Sequence, residues 1–105
     1  MKPARLRPLA EEDLVAAVRH YAAEGGRTLG ERAFDAALSA LEQIGEQPAS
    51  GSPRLGALCE IPGLRSWPVR GFPLRWMYFE ADAFVDVVRL LGERQDIAAI
   101  LRGTD

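Results

Sequence analysis

The chain has 105 residues, of which 48% are hydrophobic and 27% charged, with a formal net charge of −2. This length and composition predict one globular domain over residues 1–105 and exclude a disordered chain. A protein that coats nucleic acid by bulk electrostatics would be basic overall, so the net charge argues against that class as well.

Targeting and ligand-binding signals are absent from the sequence. Cys59 is the only cysteine and His20 the only histidine, which excludes an intrachain disulfide and a zinc-ligand set. No apolar run approaches about 18 residues, and no charged-then-apolar leader is present. We therefore expect a soluble, cytoplasmic protein without a cofactor, a metal or a membrane contact.

The N-terminal part predicts a short strand followed by a helix. Residues 2–9 alternate basic and apolar side chains between flanking prolines, which suits an edge strand. Residues 10–13 then place three acids where they favour the positive end of a helix dipole. Gly25 and Gly26 predict the end of this helix. Its apolar stripe is formed by Leu14, Val18, Tyr21 and Ala22.

A second, longer helix follows. Thr28 is its predicted N-cap, and Glu31 three residues later completes a capping box. Gly45 and Pro48 mark its end. Two helices joined by a short glycine-containing turn form an antiparallel αα-hairpin. The apolar positions of the second helix are Leu29, Ala33, Phe34, Ala37, Leu38, Leu41 and Ile44.

The C-terminal half predicts a three-stranded antiparallel meander and a short terminal helix. The last strand is apolar on both parities except at Asp86 and Arg89, which is typical of a central strand covered on both faces. Residues 47–63, rich in Pro, Gly and Ser, predict an irregular surface connection. The predicted strands cover residues 64–69, 74–80 and 84–91, and the helix covers residues 95–102.

The predicted order β-α-α-β-β-β-α defines an α+β domain. In it, the helical hairpin packs on one face of a mostly antiparallel sheet. We expect the other face to be partly open, because an antiparallel sheet tolerates one solvated face.

Arginines are concentrated on the predicted sheet. Residues 64–79 contain Arg65, Arg70 and Arg75 and no acid, and Arg89 and Arg94 lie on or just after the last strand. Guanidinium groups suit planar, bidentate contacts with carboxylate or phosphate. The alternative is that each arginine is a solvated strand residue with ordinary surface pairs.

Other candidate chemistry is weak. Trp67 and Trp76 on adjacent strands could stack on nucleobases or on a partner helix, although covering the core face of the sheet is the favoured interpretation. His20 lies one residue from the apolar stripe and is interpreted as a surface residue rather than part of a triad. Cys59 has no histidine near it in the sequence, which makes it a poor nucleophile candidate.

Several short strings, taken with the order of elements, resemble the ParE/RelE superfamily of toxins from bacterial type II toxin–antitoxin modules. The likeness spans nearly the whole chain, and its specificity comes from the order and spacing of the strings together. The strings lie at residues 10–14, 33–34, 48–51, 63–65, 75–78 and 86–97.

The resemblance implies one of two activities. RelE-like members cut messenger RNA on the ribosome, using a lysine-rich second strand, arginines on the third strand and after the fourth, and a tyrosine in the final helix. Here the two arginines match Arg75 and Arg94, but the lysine positions fall at Ser66 and Pro68 and the tyrosine position near Ile100. Loss of one general acid or base costs about 10²–10⁴ in rate, so the resemblance favours the ParE-like branch, whose members inhibit DNA gyrase.

The resemblance therefore implies a toxin that inhibits DNA gyrase by binding, with possible indirect DNA contact. It also implies a ParD-like, ribbon-helix-helix antitoxin that forms a hetero-oligomer with the toxin. The alternatives are a RelE-like endoribonuclease and a degenerate, non-toxic member that only binds its antitoxin. One departure is Gly92, where ParE-like chains often carry a histidine.

Two sets of side chains are the corresponding site candidates. An apolar groove on the helical hairpin is predicted to hold an amphipathic antitoxin segment, although its side chains also fit an ordinary core. The antitoxin-binding candidates are Leu14, Val18, Tyr21, Phe34 and Leu38. The target-binding candidates, on the open face of the sheet, are Arg65, Arg70, Arg75, Arg89, Arg94 and Trp76.

Overall fold

The computed structural model describes residues 1–103 as a four-stranded mixed sheet with helices on both faces. The predicted α+β class and element order are confirmed, with two short additions. Thr104 and Asp105, at the end of the predicted domain, lie outside the described residues. The strands are β1 (Ala4–Leu6), β2 (Arg65–Pro68), β3 (Leu74–Glu80) and β4 (Val85–Gly92). The helices are α1 (Pro8–Gly25), α2 (Arg27–Glu46), α3 (Arg54–Leu58) and α4 (Ile97–Arg102).

The strands lie in the order β1-β4-β3-β2. β2, β3 and β4 form the predicted antiparallel meander. β1 pairs in parallel with β4 and is an edge strand of the sheet. The apolar strand β4 is therefore central, as predicted. No helix within residues 1–103 has both the length and the apolar character needed to cross a membrane.

One core lies between the sheet and the αα-hairpin. The face of α2 that meets the sheet is built from small residues, which allow a close approach of helix and sheet. Trp76 is 0% exposed and donates its indole N–H to the carbonyl oxygen of Ala37 at 3.0 Å. The buried side chains of this first core include Ala37, Ala40, Ile44, Trp76, Tyr78, Val85 and Val87.

A second core covers the opposite face of the sheet. Leu55 of α3 and Ile97 of α4 pack against it, so the prediction that this face is partly open is wrong. The prediction of an irregular connection over residues 47–63 is also wrong in part, because it contains a 3₁₀ turn at Pro48–Ser50 and α3. A helix of five residues is too short to show a periodic pattern in the sequence. The buried members of the second core are Cys59, Leu64, Met77, Val88, Leu91 and Leu101.

The two helices of the hairpin are joined through Gly26. The φ of Gly26 is 90°, in the region that favours glycine. This single residue is both the C-cap of α1 and the N-cap of α2. The predicted capping box is therefore wrong: Thr28 lies inside the helix and makes no side-chain cap. Glu31 instead accepts a hydrogen bond from Arg27 at 2.8 Å, one helical turn away.

Tyr78 fastens the end of the hairpin to the sheet. Its hydroxyl donates to the carbonyl oxygen of Pro48 at 2.7 Å, just beyond the end of α2. A side chain at Gly51 would overlap this hydroxyl, so the position requires glycine. Burial raises the pKa of Tyr78 above its ordinary value of 10.0.

We expect Tyr78→Phe to lower the free energy of unfolding by about 1 kcal/mol at neutral pH, because the hydrogen bond to Pro48 is lost. A raised pKa in the folded state means that the contribution of Tyr78 is fully present below about pH 10 and is lost as the pH rises through the folded value. Urea unfolding at a series of pH values should therefore show a weaker alkaline loss of stability in Tyr78→Phe than in the parent protein.

Tyr21→Phe is the matched control, because the Tyr21 hydroxyl makes no hydrogen bond within residues 1–103. It should change the stability at neutral pH by less than about 0.5 kcal/mol. Equal alkaline slopes for the parent protein and Tyr78→Phe would contradict the prediction.

Candidate functional site

The arginines predicted as target contacts do not all lie on one face of the sheet. Residues directly opposite each other on antiparallel strands point to the same face. Arg75 lies opposite Leu91 of the second core, whereas Arg65 lies opposite Tyr78 of the first core. The prediction of a common arginine surface on an open face is therefore wrong.

Two of these arginines hold neighbouring segments in place. Arg65 donates to the carbonyl oxygen of Gly51 at 2.8 Å, which ties the segment before α3 to β2. Arg75 donates to the hydroxyl of Ser66 at 3.0 Å, and its guanidinium lies 3.8 Å from the carboxylate of Glu93. Their hydrogen-bonding capacity is thus partly used within the fold.

Arg89 forms an ion pair with helix α1. Its guanidinium makes two hydrogen bonds to the carboxylate of Asp13, at 2.7 and 2.9 Å, and the two side chains are 16% and 15% exposed. The same carboxylate accepts the backbone N–H of Leu90 at 3.0 Å. The hydrogen bonds to Asp13 raise the pKa of Arg89 above its ordinary value. The sequence predicts Asp13 in the first helical turn, but α1 begins at Pro8, so Asp13 lies in the second turn.

A β-bulge in β4 accounts for the direction of the Arg89 side chain toward Asp13. Tyr78 lies opposite Val87 and Met77 lies opposite Arg89, so Val88 is an extra residue in β4. A bulge re-aims the side chains beside it. The pairing of β1 with β4 ends at Val87, and beyond that point Asp13 supplies the partner for the strand.

Trp76 is a core residue, and its prediction as a target contact is wrong. The side chain is fully buried under α2, as the favoured core interpretation predicted. Trp67, on the same face, is half-buried and donates to the side chain of Gln43 at 3.2 Å.

Arg70 and Arg94 differ from the other three arginines. Both are exposed, and neither makes a hydrogen bond or an ion pair within residues 1–103. Arg70 lies in the turn between β2 and β3, and Arg94 follows β4.

A cavity of about 290 Å³ surrounds Arg75 on the second face of the sheet. It contains the guanidinium groups of Arg54 and Arg75, two serine hydroxyls and the carboxylate of Glu93. Sequence reasoning missed Glu93, because the sequence gives no signal for the direction of a side chain in the turn after β4. The cavity is lined by Ser52, Arg54, Leu55, Leu58, Ser66, Arg75, Glu93 and Ile97.

Arg94 lines a different cleft, with His20 and Tyr21 of α1. The two arginines that match the ribonuclease pattern are therefore separated. The other positions of that pattern carry no proton-transfer group: Ser66 is buried and holds Arg75, and Ile100 packs against the second core. Within residues 1–103, no group of three or more His, Cys, Asp or Glu side chains could hold a metal ion.

The predicted antitoxin contacts divide into two groups. Leu14 packs against the first core, as the core interpretation predicts. Tyr21 packs there as well, and Val18 is half-buried. Phe34 and Leu38, one helical turn apart on α2, are 40% and 38% exposed. We call Phe34 and Leu38 the α2 stripe.

A groove of about 280 Å³ lies beside the α2 stripe. It runs between α2 and the N-terminal segment, where the backbone N–H of Lys2 donates to the carbonyl oxygen of Gly45 at 2.9 Å. Its lining is mostly apolar and consists of Met1, Lys2, Pro3, Ala4, Leu38, Leu41, Glu42 and Gly45.

Comparison with known proteins places the chain in a family. A family model described as "ParE toxin of type II toxin-antitoxin system, parDE" matches residues 4–97. The chain belongs to the ParE toxin family. No curated protein sequence matches it.

The fold of this ParE family member is also found in a solved structure. A chain of a structure described as "Chromosomal ParDE TA system from P. aeruginosa" superposes with a TM-score of 0.75 at 18% sequence identity. The match covers 88% of this chain and 96% of that chain. At this identity the likeness establishes the shared fold.

We expect Arg89→Gln to lower the free energy of unfolding by about 2–3 kcal/mol, because the carboxylate of Asp13 loses two charged hydrogen bonds in a largely buried position. Urea unfolding of Arg89→Gln, Asp13→Asn and the double variant forms a double-mutant cycle, and we expect a coupling free energy of about 1–3 kcal/mol. Arg70→Gln, at an exposed position, is the control. Additive losses in the two single variants would show that Arg89 does not depend on Asp13.

Proposed function

We propose that the protein is the toxin component of a type II toxin–antitoxin module and that it inhibits DNA gyrase by binding. The separation of Arg75 and Arg94 into two cavities is the observation that carries this proposal. RNA cleavage needs a base and an acid positioned around one phosphate. The cavity around Arg75 contains one carboxylate, and it lies 3.8 Å from the guanidinium of Arg75.

Arg70 and Arg94 are the proposed contacts with the target. Their guanidinium groups are exposed and have no partner within residues 1–103, so they can bind a partner without giving up an internal contact. Arg65, Arg75 and Arg89 hold the fold instead. Contact with DNA would be indirect, through gyrase, which fits the net charge of −2.

The proposed antitoxin site is the α2 stripe with its neighbouring groove. Two large apolar side chains one turn apart, Phe34 and Leu38, match the spacing of an amphipathic helix laid along α2. The matching family is one of toxins from paired toxin–antitoxin systems, and the similar P. aeruginosa chain comes from such a system. We therefore propose a ParD-like antitoxin of the ribbon-helix-helix type and a hetero-oligomer of the two chains.

A RelE-like endoribonuclease is the second candidate. It is favoured by the meeting of Arg54, Arg75 and Glu93 in one cavity, where Glu93 could act as a general base and the arginines could stabilise a phosphate. The third possibility, a non-toxic member that only binds its antitoxin, is tested by expression without the antitoxin, where growth would be unhindered.

We expect the purified protein to inhibit supercoiling by DNA gyrase and to increase cleaved DNA. The double variant Arg70→Gln/Arg94→Gln should require at least about tenfold more protein for the same inhibition, because two charged contacts are lost. Gel electrophoresis of plasmid DNA measures both effects.

Arg19→Gln is the matched control, since Arg19 is an exposed arginine on α1 without a partner in the described residues. It should inhibit as the parent protein does. Cleavage of messenger RNA on translating ribosomes, lost in Glu93→Gln and Arg75→Gln and accompanied by no effect on gyrase, would overturn the proposal in favour of the ribonuclease.

We expect Phe34→Asp and Leu38→Asp each to weaken binding of the proposed ParD-like antitoxin by at least about tenfold. Each change replaces apolar contact area with a charge that the interface would have to desolvate. Val15→Asp is the control, because Val15 is 48% exposed on α1, outside the α2 stripe and its groove. Calorimetry measures the affinities. Equal affinities in all three variants would place the antitoxin elsewhere.

A further inference from the structure

A cleft of about 430 Å³ opens between the C-terminal half of α1 and the ends of β3 and β4. We call it the Arg94 cleft. Its floor is apolar, formed by Ala16 and Ala17 of α1 with Leu74 and Leu90 of the sheet. Its polar groups are those of Asp13, His20, Tyr21, Arg94 and Gln95.

Two side chains of the Arg94 cleft, Asp13 and Gln95, already accept hydrogen bonds. The carboxylate of Asp13 receives two hydrogen bonds from Arg89 and one from the N–H of Leu90. The side-chain oxygen of Gln95 accepts the N–H of Gly92 at 2.6 Å.

The donor groups of the cleft are free. Arg94, the hydroxyl of Tyr21 and the side-chain amide nitrogen of Gln95 donate no hydrogen bond within residues 1–103. The aromatic ring of His20 packs edge-on against that of Tyr21, with centroids 5.1 Å apart. Each of these groups can donate to an anion bound in the cleft.

The acids beside Arg94 in the sequence are directed elsewhere. Glu93 lines the cavity around Arg75 on the second face of the sheet. Asp96 caps α4, where its carboxylate accepts the N–H of Ala99 at 3.1 Å. Neither acid neutralises Arg94, which leaves its charge available to a ligand.

Gly92 keeps the cleft open. An added Cβ atom there would lie 3.3 Å from the side-chain oxygen of Gln95, within the lining of the cleft. Its φ is not positive, so a larger residue could adopt the same backbone and would occupy the space.

We propose that the Arg94 cleft binds an acidic peptide segment of a protein partner, with a Glu or Asp carboxylate at Arg94 and an adjacent apolar side chain on the floor. A carboxylate can accept hydrogen bonds from Arg94, Tyr21 and Gln95, whose donors have no partner within residues 1–103, and the apolar floor can hold the neighbouring side chain. The volume of the cleft lies within the range of about 300–1,000 Å³ that is typical of ligand-binding pockets. It is larger than one acidic side chain.

This inference rests on the proposed function in one respect, because Arg94 is one of the two proposed target contacts. It specifies that Arg94 meets a carboxylate of a protein rather than a phosphate. Peptide binding is measured without gyrase, so the two experiments are independent. If the peptide does not bind, inhibition of gyrase can still be observed. If gyrase is not inhibited, peptide binding can still be observed.

The full chain labelled with ¹⁵N is titrated with a short acetylated peptide of alternating glutamate and leucine, and amide shifts are followed by NMR. We expect saturable binding with the largest shifts at His20, Gly92 and Gln95. The same peptide with glutamine in place of glutamate should bind at least about tenfold more weakly.

Two variants test the cleft itself. Arg94→Gln should weaken binding of the acidic peptide at least about tenfold, whereas Arg19→Gln should not change it. Gly92→Val, which fills the cleft and leaves Arg94 in place, should also abolish saturable binding while the remaining amide spectrum stays that of the folded protein.

Three results would overturn the proposal. The first is no saturable binding of the acidic peptide to the parent protein. The second is equal binding by Arg94→Gln or by the glutamine peptide. The third is displacement of the peptide by inorganic phosphate or adenosine monophosphate at a lower concentration than the peptide itself, which would make this a phosphate site.

Discussion

The carboxylate of Asp13 is the contact on which the rest of the structure depends. It joins α1 to the central strand at the point where β1 ends, by accepting the guanidinium of Arg89 and the backbone N–H of Leu90. An unpaired N–H or charge at this largely buried position would be costly. Because α1 is fixed there, the hairpin holds one side of the Arg94 cleft in place and the α2 stripe remains on the outside.

The five arginines predicted as target contacts divide according to whether they have a partner within the fold. Arg65, Arg75 and Arg89 have partners in the fold, and a guanidinium that already donates to a carbonyl, a hydroxyl or a carboxylate has less capacity for a ligand. Arg70 and Arg94 lie in turns at the ends of strands, where residues are exposed and partners are few. We therefore expect contacts with the target at the ends of the strands rather than on the faces of the sheet.

The elements, their order and the packing of the hairpin on the sheet could be predicted from the sequence, whereas strand register and side-chain pairs between distant elements could not. The apolar run of β4 indicated a central strand, and Gly26 indicated the end of α1. The faces of Arg65 and Arg75 depend on strand register, and the direction of Arg89 depends on a bulge at Val88, neither of which appears in a periodic pattern. Asp13 and Arg89 are 76 residues apart, so only the fold brings them together.

The one-residue link at Gly26 has a consequence for binding. It leaves no loop between α1 and α2, and both helices pack on the first core, so α2 is already ordered in the free protein. A helix that docks on α2 thus meets a template whose shape is set in advance. The entropy lost on association then falls on the incoming chain, and stiffening that chain beforehand would tighten the complex without any new contact.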